Sequence, residues 1–322
     1  MPALLRAIAP TPFVTVQDAG RRGWRRFGVS SSGAMDRMSL AIANALVGNR
    51  PTEAALEFAH AAGEWQVDAA SCRIAVTGGS FGVTVDGFAR STYSSITLTR
   101  GQRFHVAGAT DAVWGYLAVA GGLDVPQQFG SRSTHVRTAI GGLGGQAIQP
   151  GAVLKLRADL APAEAEKSID APLVQSGPYR MVPGPQDDYF DAASLAGFLT
   201  AEYRVTQAMD RMAYYLDGPR LTHRDGYNII TDGVVPGCVQ VPGTGMPIVL
   251  MRDAPTVGGY PKIGVIIEAD LGRFAQQRPG SAILFLAVTQ TEAQAIRQRF
   301  LARMQIIAED LGSPRLQLSR PG

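Results

Sequence analysis

The sequence predicts a mainly β protein of about two domains, each a barrel or sandwich with few helices, and three observations predict it. At 322 residues the chain holds about two domains of the usual ~150 residues, each long enough to bury a core. Glycine (37) and proline (20) are abundant and dispersed between short apolar runs, a punctuation typical of many strands and turns. The runs recur at intervals of about ten residues, as strands do in barrels and sandwiches. RIAVTG (73–78), FGVTVDG (81–87), SITLT (95–99), RFHVA (103–107) and AVWGYLAVAGG (112–122) form one series. YRMVPG, EYRVTQ, PIVLM, KIGVIIEA and SAILFLAV form a second. Between them ADLAPAEAEKSIDAP (158–172) reads as a connector from its Ala, Pro and charge content. The domains are therefore expected at 1–170 and 171–322.

Two helices are legible. Asp36 offers an N-cap to a segment carrying Met38, Ala41, Ala45 and Leu46, with Gly48 as its stop. Near the end of the chain, Thr291 and Gln294 read as a capping box. Ile296, Phe300, Met304, Ile307 and Leu311 then share one stripe at 3.6-residue periodicity, and Gly312 with Pro314 ends it. Arg297, Arg299 and Arg303 are expected in solvent on the opposite face; contact with a membrane surface is the less favoured reading of that basic helix.

Composition excludes several classes. Hydrophobic residues make up 46% and charged residues 18%, against about 25% charged in ordinary domains, so this is neither a disordered tail nor a solvated coiled coil. The net charge of +3 is small and scattered, which argues against nucleic acid. The cysteines, Cys72 and Cys238, are far apart, and the histidines are isolated in sequence, so no metal site is predicted. The opening MPALLRAIAPTPF has no long apolar core, and the most apolar stretch, 113–123, is short and broken by glycine. These features predict a soluble cytoplasmic protein without membrane attachment. No Walker motif, G-x-G-x-x-G turn or G-x-S-x-G elbow occurs.

The informative segments place polar residues where glycine brings the backbone close. TVQDAGRRG (15–23) sets Gln17, Asp18 and Arg21 around a turn at Gly20. They offer a ligand an amide, a carboxylate and a guanidinium, or else Asp18 caps the turn and Arg21 pairs with it. GSRST (130–134) holds Arg132 and Ser133 beside Thr134, a donor set suited to a carboxylate or phosphate, with a plain surface turn as the rival. GGLGG (141–145) permits close backbone approach. The densest segment, GCVQVPGTGMPIVLMRDAPTVGGYPKIG (237–264), punctuates apolar strands with Gln240, Arg252, Asp253, Thr256, Tyr260 and Lys262, as the lining of a cavity would be. Lys262 is one of three lysines, with Lys155 and Lys167; the alternative role is a solvated strand-end lysine.

Taken together, TVQDAGRRGWRRFGVSSSGAMD, ANALVGN (43–49), AALEF (54–58), SRST, AMDRMAYYLDG (208–218) and VQVPGTGMPIVLMRDAPTVGGYPKIGVIIEADLGRFAQQRPG resemble the allophanate hydrolase subunit 2 family over essentially the whole chain. That family includes the C component of 5-oxoprolinase, the antagonist of the Kip sporulation-kinase inhibitor, and the carboxyltransferase region of urea amidolyase. The resemblance implies two tandem cyclophilin-like β-barrels and a complex with a homologous B-component or Kip-inhibitor-type partner. Three activities follow from it as alternatives. The leading one is ATP-dependent ring opening of 5-oxoproline, a small amide substrate, with ATP used through the complex and a third protein completing the assembly. The second is carboxyl transfer from carboxybiotin to urea or a related amide; no Met-Lys-Met acceptor occurs in this chain, so the biotin carrier is external. The third is non-enzymatic regulation by binding a kinase inhibitor.

Under the leading reading, the charge developing on a phosphorylated lactam oxygen is met by Arg132, Arg211 or Lys262, and Asp36 or Asp253 accepts a proton. Gln240 reads the lactam N–H and C=O together, with Gln17, Ser133, Thr134, Thr256 and Tyr260 as further substrate contacts. These stretches are expected to converge on one cleft near Gln240 and Asp253. There are three departures from the family pattern: Gln146 stands for an arginine after the glycine loop, Ala213 for a glycine, and the stretch Pro255, Thr256 and Val257 for Gln-Thr-Thr. The first loses a cation; the last removes an amide and a hydroxyl.

Overall fold

The computed structural model describes residues 2–172 and 177–314. Strands predominate among them, with four α-helices. The chain divides into two compact units that alternate along the sequence: Met1–Arg21, Asp36–Pro172 and Leu301–Gly322 form the first, Arg22–Met35 and Leu173–Phe300 the second. The stretch 158–172 groups with the first unit, while residues 22–35 group with the second and those from Leu301 onward with the first. The reason lies in their hydrogen bonds. Arg25 donates to the carbonyls of Val234 and Pro255, and Ser30 Oγ to that of Ala254, which ties residues 22–35 to the second unit. At the other end Ser313 Oγ donates to the Asn49 carbonyl in the first.

The first unit has two antiparallel sheets. One contains β1 (Leu4–Pro10), β4 (Gly63–Asp68), β6 (Val83–Val85), β7 (Phe88–Arg90), β9 (Arg103–Val106) and β11 (Val153–Lys155), in the spatial order β11-β1-β4-β9-β6-β7. The other contains β2 (Val14–Gln17), β3 (Ala55–Ala59), β5 (Ser71–Thr77), β8 (Ser95–Thr99) and β10 (Trp114–Val119), in the order β2-β3-β10-β5-β8. Strand β4 alternates buried and half-buried residues, putting Trp65 and Val67 into a core with Leu5, Phe58, Leu117 and Phe104. In contrast, β3 and β10 are buried at every position; helix α1 (Arg37–Leu46) packs on β10 and on β5. The N-cap expected at Asp36 is present: its carboxylate accepts from the Met38 and Ser39 backbone N–H groups at 3.1 and 3.3 Å.

The second unit is built on an eight-stranded sheet. Its members are β12 (Tyr179–Pro183), β13 (Tyr203–Met209), β14 (Ala213–Asp217), β16 (Cys238–Gln240), β17 (Ile248–Leu250), β19 (Lys262–Ile266), β20 (Ala282–Ile283) and β21 (Phe285–Ala287). The order is β20-β13-β14-β17-β16-β19-β12-β21. The two outermost strands, β20 and β21, are separated in the chain by Leu284 alone, whose carbonyl accepts from Tyr179 N–H at 2.7 Å. The sheet therefore curls into a nearly closed barrel. A two-stranded ribbon, β15 (Asp232–Gly233) with β18 (Val257–Gly258), forms a separate small sheet.

Two helices carry no clear signal in the sequence. Helix α2 (Ala192–Thr200), capped by Asp191, buries only Phe198, so it has no apolar stripe. Helix α3 (Glu268–Ala275) follows β19 after a single residue, and the run KIGVIIEA hides its start. Helix α4 (Gln290–Asp310) is present, but its capping box lies two residues earlier than Thr291 and Gln294. Thr289 and Glu292 exchange reciprocal side-chain-to-backbone bonds at 2.8 and 3.2 Å. Its buried stripe is Leu301, Met304 and Ala308, rotated from the expected one, with Phe300 and Ile307 only half buried.

Candidate functional site

In the first unit, three motifs that are separate in sequence form one buried knot. Asp18, at the end of β2, accepts from Gly20 N–H at 2.8 Å, Ser131 Oγ at 2.6 Å, Ser133 Oγ at 2.6 Å and Arg132 N–H at 2.7 Å. Arg21, almost wholly buried, donates to the Ser133 carbonyl. Gln17 Nε2 reaches Thr15 Oγ1 at 3.1 Å and the Thr134 carbonyl at 2.9 Å, and Thr134 Oγ1 returns to the Val16 carbonyl at 3.1 Å. The glycine loop closes the knot. A Cβ on Gly141 would lie 2.0 Å from the Ser133 carbonyl, and one on Gly142 2.0 Å from Thr134 Oγ1, so only glycine fits. Arg132 reaches away from the knot: its Nε donates to the Val125 carbonyl at 2.8 Å and Nη1 lies 3.6 Å from Glu53.

A carboxylate that the sequence does not single out lies in the same unit. Glu57 on β3 is fully buried, and Tyr116 Oη donates to it at 2.7 Å while accepting from Asp36 N–H at 2.7 Å. Burial, with Glu57 and Asp36 close by, drives the Tyr116 hydroxyl well above its ordinary pKa. Asp36 Oδ2 also accepts from Ser39 Oγ at 2.7 Å. The signal available is a lone Glu in the apolar run AALEF, flanked in register by Thr15 on β2 and Tyr116 on β10.

The second unit sorts its nominated residues into two polar groups. The first surrounds Lys262. Its ammonium, on a side chain only 2% exposed, donates to Asp232 Oδ2 at 2.6 Å and to the Gly233 carbonyl at 3.2 Å, whereas the Asp232 side chain is 53% exposed. Gln186 accepts from Lys262 N–H at 3.2 Å. Gln240 lies opposite Lys262 in register, and its Nε2 donates to the Tyr260 carbonyl at 3.2 Å. Gly258 lies against it: a Cβ there would be 2.5 Å from Gln240 Nε2. The Lys262 bond holds the Asp232 carboxyl below its usual range. Burial pushes the Cys238 thiol up, with Lys262 and Arg25 pulling the other way.

The second group centres on Arg211 and Asp253, a bidentate pair at 2.8 and 3.0 Å. Arg211 also donates to the Gly33 carbonyl at 2.8 Å. Thr256 contributes its carbonyl to Val234 N–H at 3.1 Å. Each cation nominated for an anion, Arg132, Arg211 and Lys262, thus faces a carboxylate of its own unit. Ala213, one of the three departures, is buried with Leu250 and Val234, and Gln146 is exposed. Among the described residues no cluster of three or more His, Cys, Asp or Glu is arranged to hold a metal, and no helix is long and apolar enough to cross a membrane.

Comparison with known proteins gives concordant matches. The family model of the carboxyltransferase domain, subdomain A and B, matches residues 27–287. The C component of 5-oxoprolinase from Escherichia coli (strain K12) is 38% identical over 300 residues, covering 92% of this chain and 94% of that protein. Urea amidolyase of Saccharomyces cerevisiae is 27% identical, and the match spans 92% of this chain but only 17% of that protein. In three dimensions the chain is similar to the Kluyveromyces lactis urea carboxylase, with a TM-score of 0.87 and 27% identity, covering 99% of this chain and 30% of that one.

Proposed function

The chain belongs to the carboxyltransferase-domain family, and from that premise we propose that it is the C-type component of an ATP-dependent 5-oxoprolinase. It acts in the cytoplasm with a B-component or Kip-inhibitor-type partner and a third protein. The observation that carries this reading is one of likeness: the chain is 38% identical to a 5-oxoprolinase component, against 27% to urea amidolyase.

The cations nominated in sequence do not gather around a triphosphate: Lys262, Arg211 and Arg132 are each paired with a different carboxylate, Asp232, Asp253 and Glu53. ATP belongs in this reading to the partner proteins, and the isolated chain has no turnover. What this chain contributes is a place for a small amide. Lys262 is the group we assign to substrate charge: it is buried, while Asp232, its counter-ion, sits exposed on a two-residue ribbon strand. An incoming anionic oxygen takes the place of Asp232 at the ammonium, so the lysine is never left unpaired in a dry site. Gln240 presents an amide opposite it, with Tyr260 and Thr256 nearby in the chain. Asp253 is the assigned proton acceptor of this unit; to act, it gives up one of its bonds to Arg211.

The test is to reconstitute the protein with the products of its neighbouring genes and follow ADP release with 5-oxoproline, other lactams and urea. Release coupled to glutamate formation supports the reading; turnover by the isolated chain refutes the division of labour. A second reading, biotin-dependent carboxyl transfer, is favoured by the structural likeness to urea carboxylase over 99% of this chain. A biotinylated protein in the complex, with ADP release that requires bicarbonate, would replace the first reading with it.

A further inference from the structure

The second unit contains a cavity of about 420 Å³, within the ~300–1,000 Å³ of typical small-molecule sites. None of the residues assigned above to substrate or proton transfer lines it. Its floor is aliphatic, from Val182 on β12 and Val265 and Ile266 on β19, with Leu271 of α3 beside them. Its rim is polar. Arg252 approaches from the loop after β17, Arg297 from the second turn of α4, and Glu268 from the first turn of α3. Gln290 and Gln294 of α4 and Ser31 complete it.

Two features distinguish this rim from an ordinary polar edge. Arg297 Nε donates to Glu268 Oε2 at 2.6 Å, which fixes the guanidinium across the mouth between two helices. Its two Nη groups and the side-chain amides of Gln290 and Gln294 make no hydrogen bond to the described residues. The lining also carries two guanidinium groups against one carboxylate, so its formal charge favours an anion.

From this geometry we infer that the cavity is a binding site for a small aliphatic monocarboxylate, separate from the Lys262 group. Arg297 and Arg252 take the carboxylate, Gln290 and Gln294 donate to its oxygens, and the Val182–Val265–Ile266 floor takes the hydrocarbon tail. The inference is independent of the proposed function, because it requires no partner, ATP or turnover.

Calorimetric titration of the full chain with hexanoate tests it, with hexan-1-ol and hexylamine as probes of the same tail and different heads. Hexanoate is expected to bind at least about tenfold more tightly than either. Arg297→Gln, at a side chain half exposed on a helix, weakens hexanoate by about tenfold or more, and Arg297→Lys recovers part of that loss. Ala293→Trp, which fills the cavity, abolishes binding, while Lys262→Met leaves it unchanged. Equal binding of the three probes, wild-type affinity in Arg297→Gln, or loss of hexanoate in Lys262→Met would each overturn the assignment.

Discussion

The two units treat the same chemical vocabulary in opposite ways. In the first, the Asp18, Ser131, Ser133 and Thr134 knot is buried and its members are held by bonds within the unit. In the second, Lys262 is just as buried, yet its counter-ion projects into solvent from the short ribbon. The difference teaches that a glycine- and hydroxyl-rich motif signals close packing first and a ligand second. Where the hydroxyls and the carboxylate already have internal partners, the motif is consumed in holding loops together. A buried charge whose partner is exposed is different, because that partner can be exchanged without exposing the core.

The sharpest way to break this comparison is Asp18→Ala. It strands two buried hydroxyls and two backbone N–H groups, so a loss of roughly 3–5 kcal/mol is expected in urea denaturation. A loss below about 1 kcal/mol would show that the knot is not structural. Lys262→Met should do the reverse, leaving the denaturation midpoint close to wild type and lowering turnover of the reconstituted complex by about 100-fold. Unchanged turnover would return the residue to a purely structural role. Tyr116→Phe removes the hydroxyl that donates to Glu57 and accepts from Asp36 N–H and is expected to cost about 1–2 kcal/mol, again by denaturation.

The smallest effect concerns acid. Arg6 holds the Asp68 carboxyl below its usual range, as Lys262 does Asp232. A carboxyl depressed in the folded state stabilises it above its unfolded pKa, about 3.9, and that contribution is lost as pH falls through the lower folded value. Thermal stability should therefore show no loss from these groups between pH 7 and 5 and decline below about pH 4. Both units carry such a group, so both should soften together. A decline already complete at pH 5 would mean other groups govern it.

Much of this is legible in the sequence because strands with one solvated face announce themselves. SITLT is β8 residue for residue, and the Asp36 cap is readable because its helix follows at once. Two of the motifs that carry the family resemblance, the DAGR and SRST stretches, do meet in space. What stays hidden depends on distant pairings. Helix α2 has one buried side chain and no stripe to read. Glu57 is indistinguishable in sequence from a solvated strand glutamate until Tyr116 is placed beside it. Arg297 reads as a solvent arginine because periodicity assigns a face but not a neighbour, and the neighbour, Glu268, comes from another helix.

The Leu284 junction carries a last consequence. One continuous segment supplies both outermost strands of the second unit's sheet, so a single backbone cut there would untether both at once. A circular permutant with new termini at Leu284 would let β20 and β21 fray from β13 and β12, baring amides that are ready templates for joining another copy. A permutant opened at the exposed turn around Gly226 would keep the ring intact and remain monodisperse.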